Sequence, residues 1–320
     1  MHTESKVEPS LPSKGSIEVI DQQLESVLNT EAPIEVLAEG YSWSEGPLWL
    51  PKQKMLIFSD VPRNTIYSWS EEKGAGVYLT PSGFTGENFE GSEPGSNGLT
   101  LNNQGDLVLC QHGNRAVSVM KAELSKPEPK YEFLVESFED KRFNSPNDLI
   151  FDRAGNLYFT DPPYGLPGGM EDPEKEIPFQ GVYRVTPQGE ITLLTDELSR
   201  PNGLALSPDE KTLYVANSDP EKAIWMAYEL DEEGAIQSKK VFYDVTEWVP
   251  KAPGLPDGLK VDDKGNLFAT GPGGVWVFSP EGGHLGTIKT GEATANCAFN
   301  EDKSALYMTA DSYLLRLKLK

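Results

Sequence analysis

The sequence predicts an all-β, six-bladed β-propeller built from four-stranded blades. Six segments read as copies of one another: SEGPLWLPKQKMLIFSD, SNGLTLNNQGDLVLCQ, SPNDLIFDRAGNLYFTD, RPNGLALSPDEKTLYVAN, LPDGLKVDDKGNLFATG and TANCAFNEDKSALYMTA. Their polar anchors are Glu45, Asn97, Asn147, Asn202, Asp257 and Asn296, with gaps of 52, 50, 55, 55 and 39 residues. A period near the length of a four-stranded blade, met six times, fits radial repetition. A sandwich has no reason to repeat such an anchor in each unit, and solenoid rungs are usually shorter. The chain ends supply the third observation. Only three strands follow from the last anchor, at 295–299, 305–309 and 313–318, and the apolar stretch 34–38 upstream of the first repeat can supply the fourth. Pairing it there closes the ring and hides two sheet edges.

Taken in order, residues 1–33 form an N-terminal tail outside the repeat, and residues 34–320 form one propeller domain. Met1 to Gly15 is polar and Pro-containing, which predicts disorder, and it lacks the charged-then-apolar pattern of a signal peptide. Ile17, Ile20, Leu24, Val27 and Leu28 recur at helical spacing, which predicts one short amphipathic helix over 16–29, packed on the outside of the propeller. Each repeat then reads strand–turn–strand. In the fourth, an apolar run follows Asn202, Pro208-Asp209-Glu210-Lys211 turns, and Leu213-Tyr214-Val215-Ala216 returns. Further strands follow in most units, such as Gly181–Val185 and Gly274–Phe278. Insertions at about 80–95 and 164–180 are rich in Gly, Pro and acids and are expected to cover one rim of the propeller.

Composition sets further bounds. Lys plus Arg is 28 and Asp plus Glu is 50, a formal charge of −22. Such a surface repels nucleic acid and anionic membranes and attracts cations. No apolar run is long enough for a transmembrane helix, so no membrane insertion is expected. Cys110 and Cys297 fall in strands of the second and sixth units, which are not neighbours in a six-membered ring, so both read as small buried apolar groups. Two thiols do not fix the compartment, which stays open between cytoplasm and periplasm for a soluble chain, and the oligomeric state is equally open.

The anchors carry the chemistry. In a propeller the innermost strand of each blade lines the central axis, so six equivalent positions converge. Asn-Gly and Asp-Gly are common tight-turn pairs, but six anchors in register, with Glu in the first and no Gly after Asn147, exceed what turns require. Two carboxylates and several amides, with no His or Cys, are hard oxygen donors. Ca²⁺ takes about six to eight such oxygens, Mg²⁺ demands a tighter octahedron, and Zn²⁺ or Mn²⁺ could substitute.

With these residues the chain resembles the gluconolactonase/regucalcin (SMP-30) family of six-bladed calcium propellers. The resemblance runs from about residue 34 to 320. It rests on Ser44-Glu45-Gly46-Pro47, Pro146-Asn147-Asp148, Pro201-Asn202-Gly203-Leu204 and Pro256-Asp257-Gly258 as an ordered set. Phe159-Thr160-Asp161-Pro162-Pro163-Tyr164-Gly165 resembles the bacterial gluconolactonase branch. The resemblance implies a divalent metal, most favourably Ca²⁺, on Glu45, Asn147, Asn202 and Asp257, with Asp148 on substrate hydroxyls. Regucalcin-type members place a substrate-binding Arg two residues before the metal-binding Asn. Here Ser145 stands there, and Arg115 is the expected substitute.

The function expected is opening of a D-gluconolactone-like sugar lactone, with the metal polarising the carbonyl and water attacking it. Asp257 is the expected general base or water-orienting group, although a metal-bound carboxylate is a weakened base. Substrate contacts are expected from Asn97, His112, Arg115, Asp148 and Tyr164. Two rivals use the same site: an aryl-ester or organophosphate hydrolase, and a non-catalytic calcium-stabilised binding propeller.

Overall fold

The computed structural model describes residues 11–320. Six antiparallel sheets follow one another as blades, each with four strands of its own; four are in simple sequence order, and the fifth and sixth each also take a strand from the N-terminal segment, which in the sixth is the fourth strand. The innermost strands are Ser44–Leu50, Ser96–Leu101, Leu149–Phe151, Pro201–Leu206, Leu259–Val261 and Thr294–Phe299. The sixth blade is completed from the other end of the chain. Ile34–Glu39 forms its outer edge and pairs antiparallel with Tyr313–Lys318, with Ile34 opposite Leu317 and Glu39 opposite Tyr313.

Apolar faces are buried between blades, not within them. One cluster joins Val108, Cys110 and Val117 of the second blade to Leu157, Phe159 and Tyr183 of the third. Another joins Val275 and Val277 to Cys297, Met308 and Leu315 across the fifth and sixth. Both cysteines are free and buried. No helix among the described residues is long and apolar enough to cross a membrane.

The N-terminal segment departs from the helix expected over 16–29. Ser16–Val19 is a strand that extends the fifth blade, pairing Ser16 with Lys289 and Val19 with Gly286. Gln22–Ser26 is a 3-10 turn capped by Asp21, whose carboxylate accepts from the Gln23 N–H at 2.8 Å. A single short helix is marginal alone, whereas the outer strand of the fifth blade offers unpaired backbone groups. Leu24 and Leu28 still bury completely against the fifth and sixth blades, each contributing about 1.5–3 kcal/mol. Of the stretch expected to be disordered, residues 1–10 lie outside the described residues. Residues 11–15 are tied down: Ser13 bridges Glu35, and the Lys14 N–H donates to the Ile34 carbonyl at 3.0 Å.

Candidate metal and substrate site

The pairing of each inner strand is irregular at its anchor. Register shifts fall between Glu45 and Leu48, Ser96 and Leu99, Pro201 and Leu204, and Thr294 and Asn296. In the third and fifth blades Asn147 and Asp257 precede the paired strand, their N–H groups donating to Thr160 and Thr270. A bulge re-aims the side chain it carries, and here the re-aimed side chains face one end of the axis.

Four of the six anchors are followed by a glycine, and these glycines serve close approach. Gly98, Gly203 and Gly258 do not have positive φ. A Cβ on Gly203 would lie 2.3 Å from the Asp257 carbonyl oxygen, and one on Gly258 would lie 2.0 Å from the Asn296 amide carbon. The following blade passes directly over each of these positions, so the Gly that looked like turn chemistry sets the diameter of the ring. Hydroxyls on the second strands hold it: Ser59 donates to the Asn97 carbonyl at 2.9 Å and Thr160 to the Asn202 carbonyl at 2.7 Å. At the end of the second strands, Asp60 accepts from Ser42 and Trp43 N–H groups, and Asp161 accepts from Asn144 and Ser145 N–H groups. These acids fix the approach to the first and third anchors.

The axis opens into a cavity of about 460 Å³ lined by Glu45, Asn97, Asn147, Asn202 and Asp257, together with Glu93, Tyr164 and Ser218. Trp43 and Pro220 also line it, and Val249, Ala252, Pro253, Gly254 and Leu255 form an apolar wall. Among the described residues, no Lys, Arg or His lines it. Glu45 is buried, and burial first, then the charges of Asp148 and Glu93, push its carboxyl up to about 8. Asp257 is raised well above the carboxylate range by burial, with Glu45, Asp148 and Glu93 adding to it. A buried cluster of acids is costly unless protonated or met by a cation.

The donor set fits a hard divalent cation. Asp257 Oδ1 and Asp148 Oδ2 are buried without hydrogen-bond partners. Asn202 Nδ2 donates to Ser218 Oγ at 3.0 Å, which leaves its oxygen free. Among the described residues no three His, Cys, Asp or Glu side chains are grouped to hold a metal, so a cation here needs the amide oxygens of Asn147 and Asn202. Asn296 is different. Its Oδ1 accepts from the Cys297 N–H at 2.8 Å and from Lys260 Nζ at 3.4 Å, and its amide hydrogen-bonds Glu45.

The remaining expected contacts divide. Asn97 and Tyr164 line the cavity. Tyr164 is half-buried near Asp257, and its phenol is raised, by desolvation first and then by the Asp257 charge. Asp148 does not line the cavity; it lies beneath the ring, with Oδ1 accepting from the Leu149 N–H at 2.9 Å. His112 is wholly buried behind Glu93, its Nδ1 3.1 Å from Glu93 Oε2. Arg115 is not brought to the cavity: Nε donates to the Phe143 carbonyl at 2.7 Å and Nη1 to the Glu174 carbonyl at 3.0 Å. Ser145 is likewise committed, donating to Pro162 O and accepting from the Gly165 N–H.

Sequence reasoning missed Glu93, Ser218, Trp43 and the 249–255 wall. A signal existed for some of it: Trp43, Leu255 and Thr294 each stand two residues before an anchor and line the cavity. Glu93 and the wall sit on connections with no repeat to align.

Residues 43–312 match the family described as SMP-30/Gluconolactonase/LRE-like region. The chain belongs to the SMP-30/gluconolactonase family. Within it, the chain is 40% identical to a gluconolactonase of Zymomonas mobilis over 312 residues, covering 96% of this chain and 86% of that one. A solved gluconolactonase of Xanthomonas campestris superposes with a TM-score of 0.82 at 32% identity, covering 98% and 99% of the two chains. A calcium-binding regucalcin of Agrobacterium tumefaciens, at 18% identity and a TM-score of 0.70 over 90% of this chain and 94% of that one, shares the fold.

Proposed function

We propose that this chain is a metal-dependent lactone hydrolase acting on a D-gluconolactone-like sugar lactone. One observation carries the reading: buried acids and a free amide oxygen converge at one end of the axis, in a cavity whose lining holds no cation. The family and its gluconolactonase relatives supply the reaction class. Glu45, Asn147, Asn202 and Asp257 would hold the metal, most favourably Ca²⁺, since the donors are all hard oxygens. When bound, such a cation polarises a carbonyl and stabilises developing negative charge.

The chain's own residues do the rest. Asp257 Oδ1, without a partner in the protein, orients the attacking water. Asn97 and Tyr164 present polar groups to the lactone hydroxyls. Trp43 and the 249–255 wall shield the reacting carbonyl from bulk solvent. That wall is largely apolar, which also favours a second reading, hydrolysis of aryl esters at the same site.

The test is D-gluconolactone hydrolysis followed by proton release in weak buffer at slightly acidic pH, after chelation and after adding back Ca²⁺, Mg²⁺, Mn²⁺ or Zn²⁺. Metal-dependent turnover supports the reading. Turnover on aryl esters but not on sugar lactones moves the assignment to the second reading. Calcium-dependent melting without hydrolysis of either overturns both and leaves a binding propeller.

A further inference from the structure

We propose that Glu93, held in place by His112, is the proton acceptor for the attacking water. This rests on the lactone-hydrolase reading above and names the base that reading lacks. Three acids line the cavity: Glu45, Glu93 and Asp257. Glu45 and Asp257 stand at anchors and are the carboxylates proposed to hold the cation, and a carboxylate on a cation is a poor base. Glu93 comes instead from the connection between the first and second blades. Its side chain is 31% exposed, against 0% for the His112 side chain behind it.

The connection is pinned where Glu93 leaves it. The Phe84 N–H donates to the Pro94 carbonyl at 2.6 Å, the Gly95 N–H to the Val61 carbonyl at 2.9 Å, and the His112 N–H to the Gly95 carbonyl at 3.1 Å. His112 is wedged under the loop that carries Tyr164, since a Cβ on Gly165 would lie 2.7 Å from the His112 Cβ. His112 Nδ1 lies 3.1 Å from Glu93 Oε2, and in the tautomer with its proton on Nδ1 the ring donates to that carboxylate. Its Nε2 is then a buried acceptor with no partner, so the ring makes only this side-chain bond. An otherwise unsatisfied buried group calls for an explanation, and fixing the Glu93 carboxylate supplies one. Glu93 lines the same cavity as Asp257.

The step balances without redox chemistry. The water oxygen forms a bond to the lactone carbonyl carbon while one of its protons passes to Glu93. The acyl carbon–ring oxygen bond then breaks, and the same proton goes to the departing ring oxygen, giving the open hydroxy acid.

The experiment compares wild type, Glu93→Gln, Glu93→Ala, His112→Phe and the Glu93→Gln/His112→Phe double variant, each loaded with Ca²⁺. Lactone turnover, calcium affinity by calorimetry and melting temperature are read for all. Glu93→Gln should lower kcat by about 10²–10⁴-fold while KM and calcium affinity hold. Millimolar formate should restore part of the Glu93→Ala rate. His112→Phe should lower kcat less, and the double variant should be no slower than Glu93→Gln, as expected for residues acting as a unit. A raised KM with kcat intact would make Glu93 a substrate contact, and lost calcium affinity would make it a ligand; either overturns the proposal. An inactive wild type overturns the lactonase reading itself.

Discussion

At the residue scale, the six anchors are equivalent in sequence and unequal in structure. Asn202 is turned by Ser218 to offer oxygen, whereas Asn296 spends its oxygen on Cys297 and Lys260. Asp257→Ala should reduce lactone turnover by about 10³-fold or more, and Glu45→Gln should weaken calcium binding with little loss of fold; calorimetry and initial rates check both. Asp161 makes a separate prediction. Burial pushes its carboxyl up to about 7, against the Asn144 and Ser145 N–H groups and the charges of Arg115 and Lys175. The folded chain therefore holds this proton more tightly than the unfolded chain does. The resulting stabilisation is full below the ordinary value of 3.8 and is lost as pH rises to about 7. Melting temperature in calcium-saturated buffer should fall across that window, and Asp161→Asn should show the shallower slope.

At the scale of elements, the repeated strand pair is where sequence and structure agree most closely. The last three strands were expected at 295–299, 305–309 and 313–318 and stand at Thr294–Phe299, Ala305–Ala310 and Tyr313–Lys318. The anchors were legible because a ring forces equivalent residues to one place. The meaning of the following Gly was not, because close approach by the next blade leaves no mark distinguishable from a turn. Gly258→Ala tests it: the new Cβ would meet the Asn296 side chain at 2.0 Å. Calcium affinity and melting temperature should drop together, whereas Gly105→Ala, in a hairpin with open space around it, should lower melting temperature slightly through its positive φ of 84° and leave calcium affinity alone. The segment 16–29 was misread because apolar spacing alone does not reveal an available sheet edge. His112 and Arg115 are only three residues apart, yet one backs a cavity-lining acid and the other braces a loop; contacts that distant in sequence have no local signature.

At the scale of the molecule, a chain of formal charge −22 gathers buried acids at its axis without a cation in the lining. A metal that binds only the folded state adds about 2.7 kcal/mol at a concentration one hundred times its Kd. Chelation should therefore lower the melting temperature, and Ca²⁺ should restore it; scanning calorimetry with and without chelator checks this. The blades pack only on their neighbours, so the ring is no stronger than the sheet that closes it. That sheet joins Ile34–Glu39 to Tyr313–Lys318. On the ribosome the first of these strands emerges ahead of all six inner strands and has no blade to join until the sixth has been made. The growing polypeptide thus passes most of the propeller's synthesis as an open arc with two bare edges, and the last strand of that blade to leave the exit tunnel is the one that turns the arc into a ring.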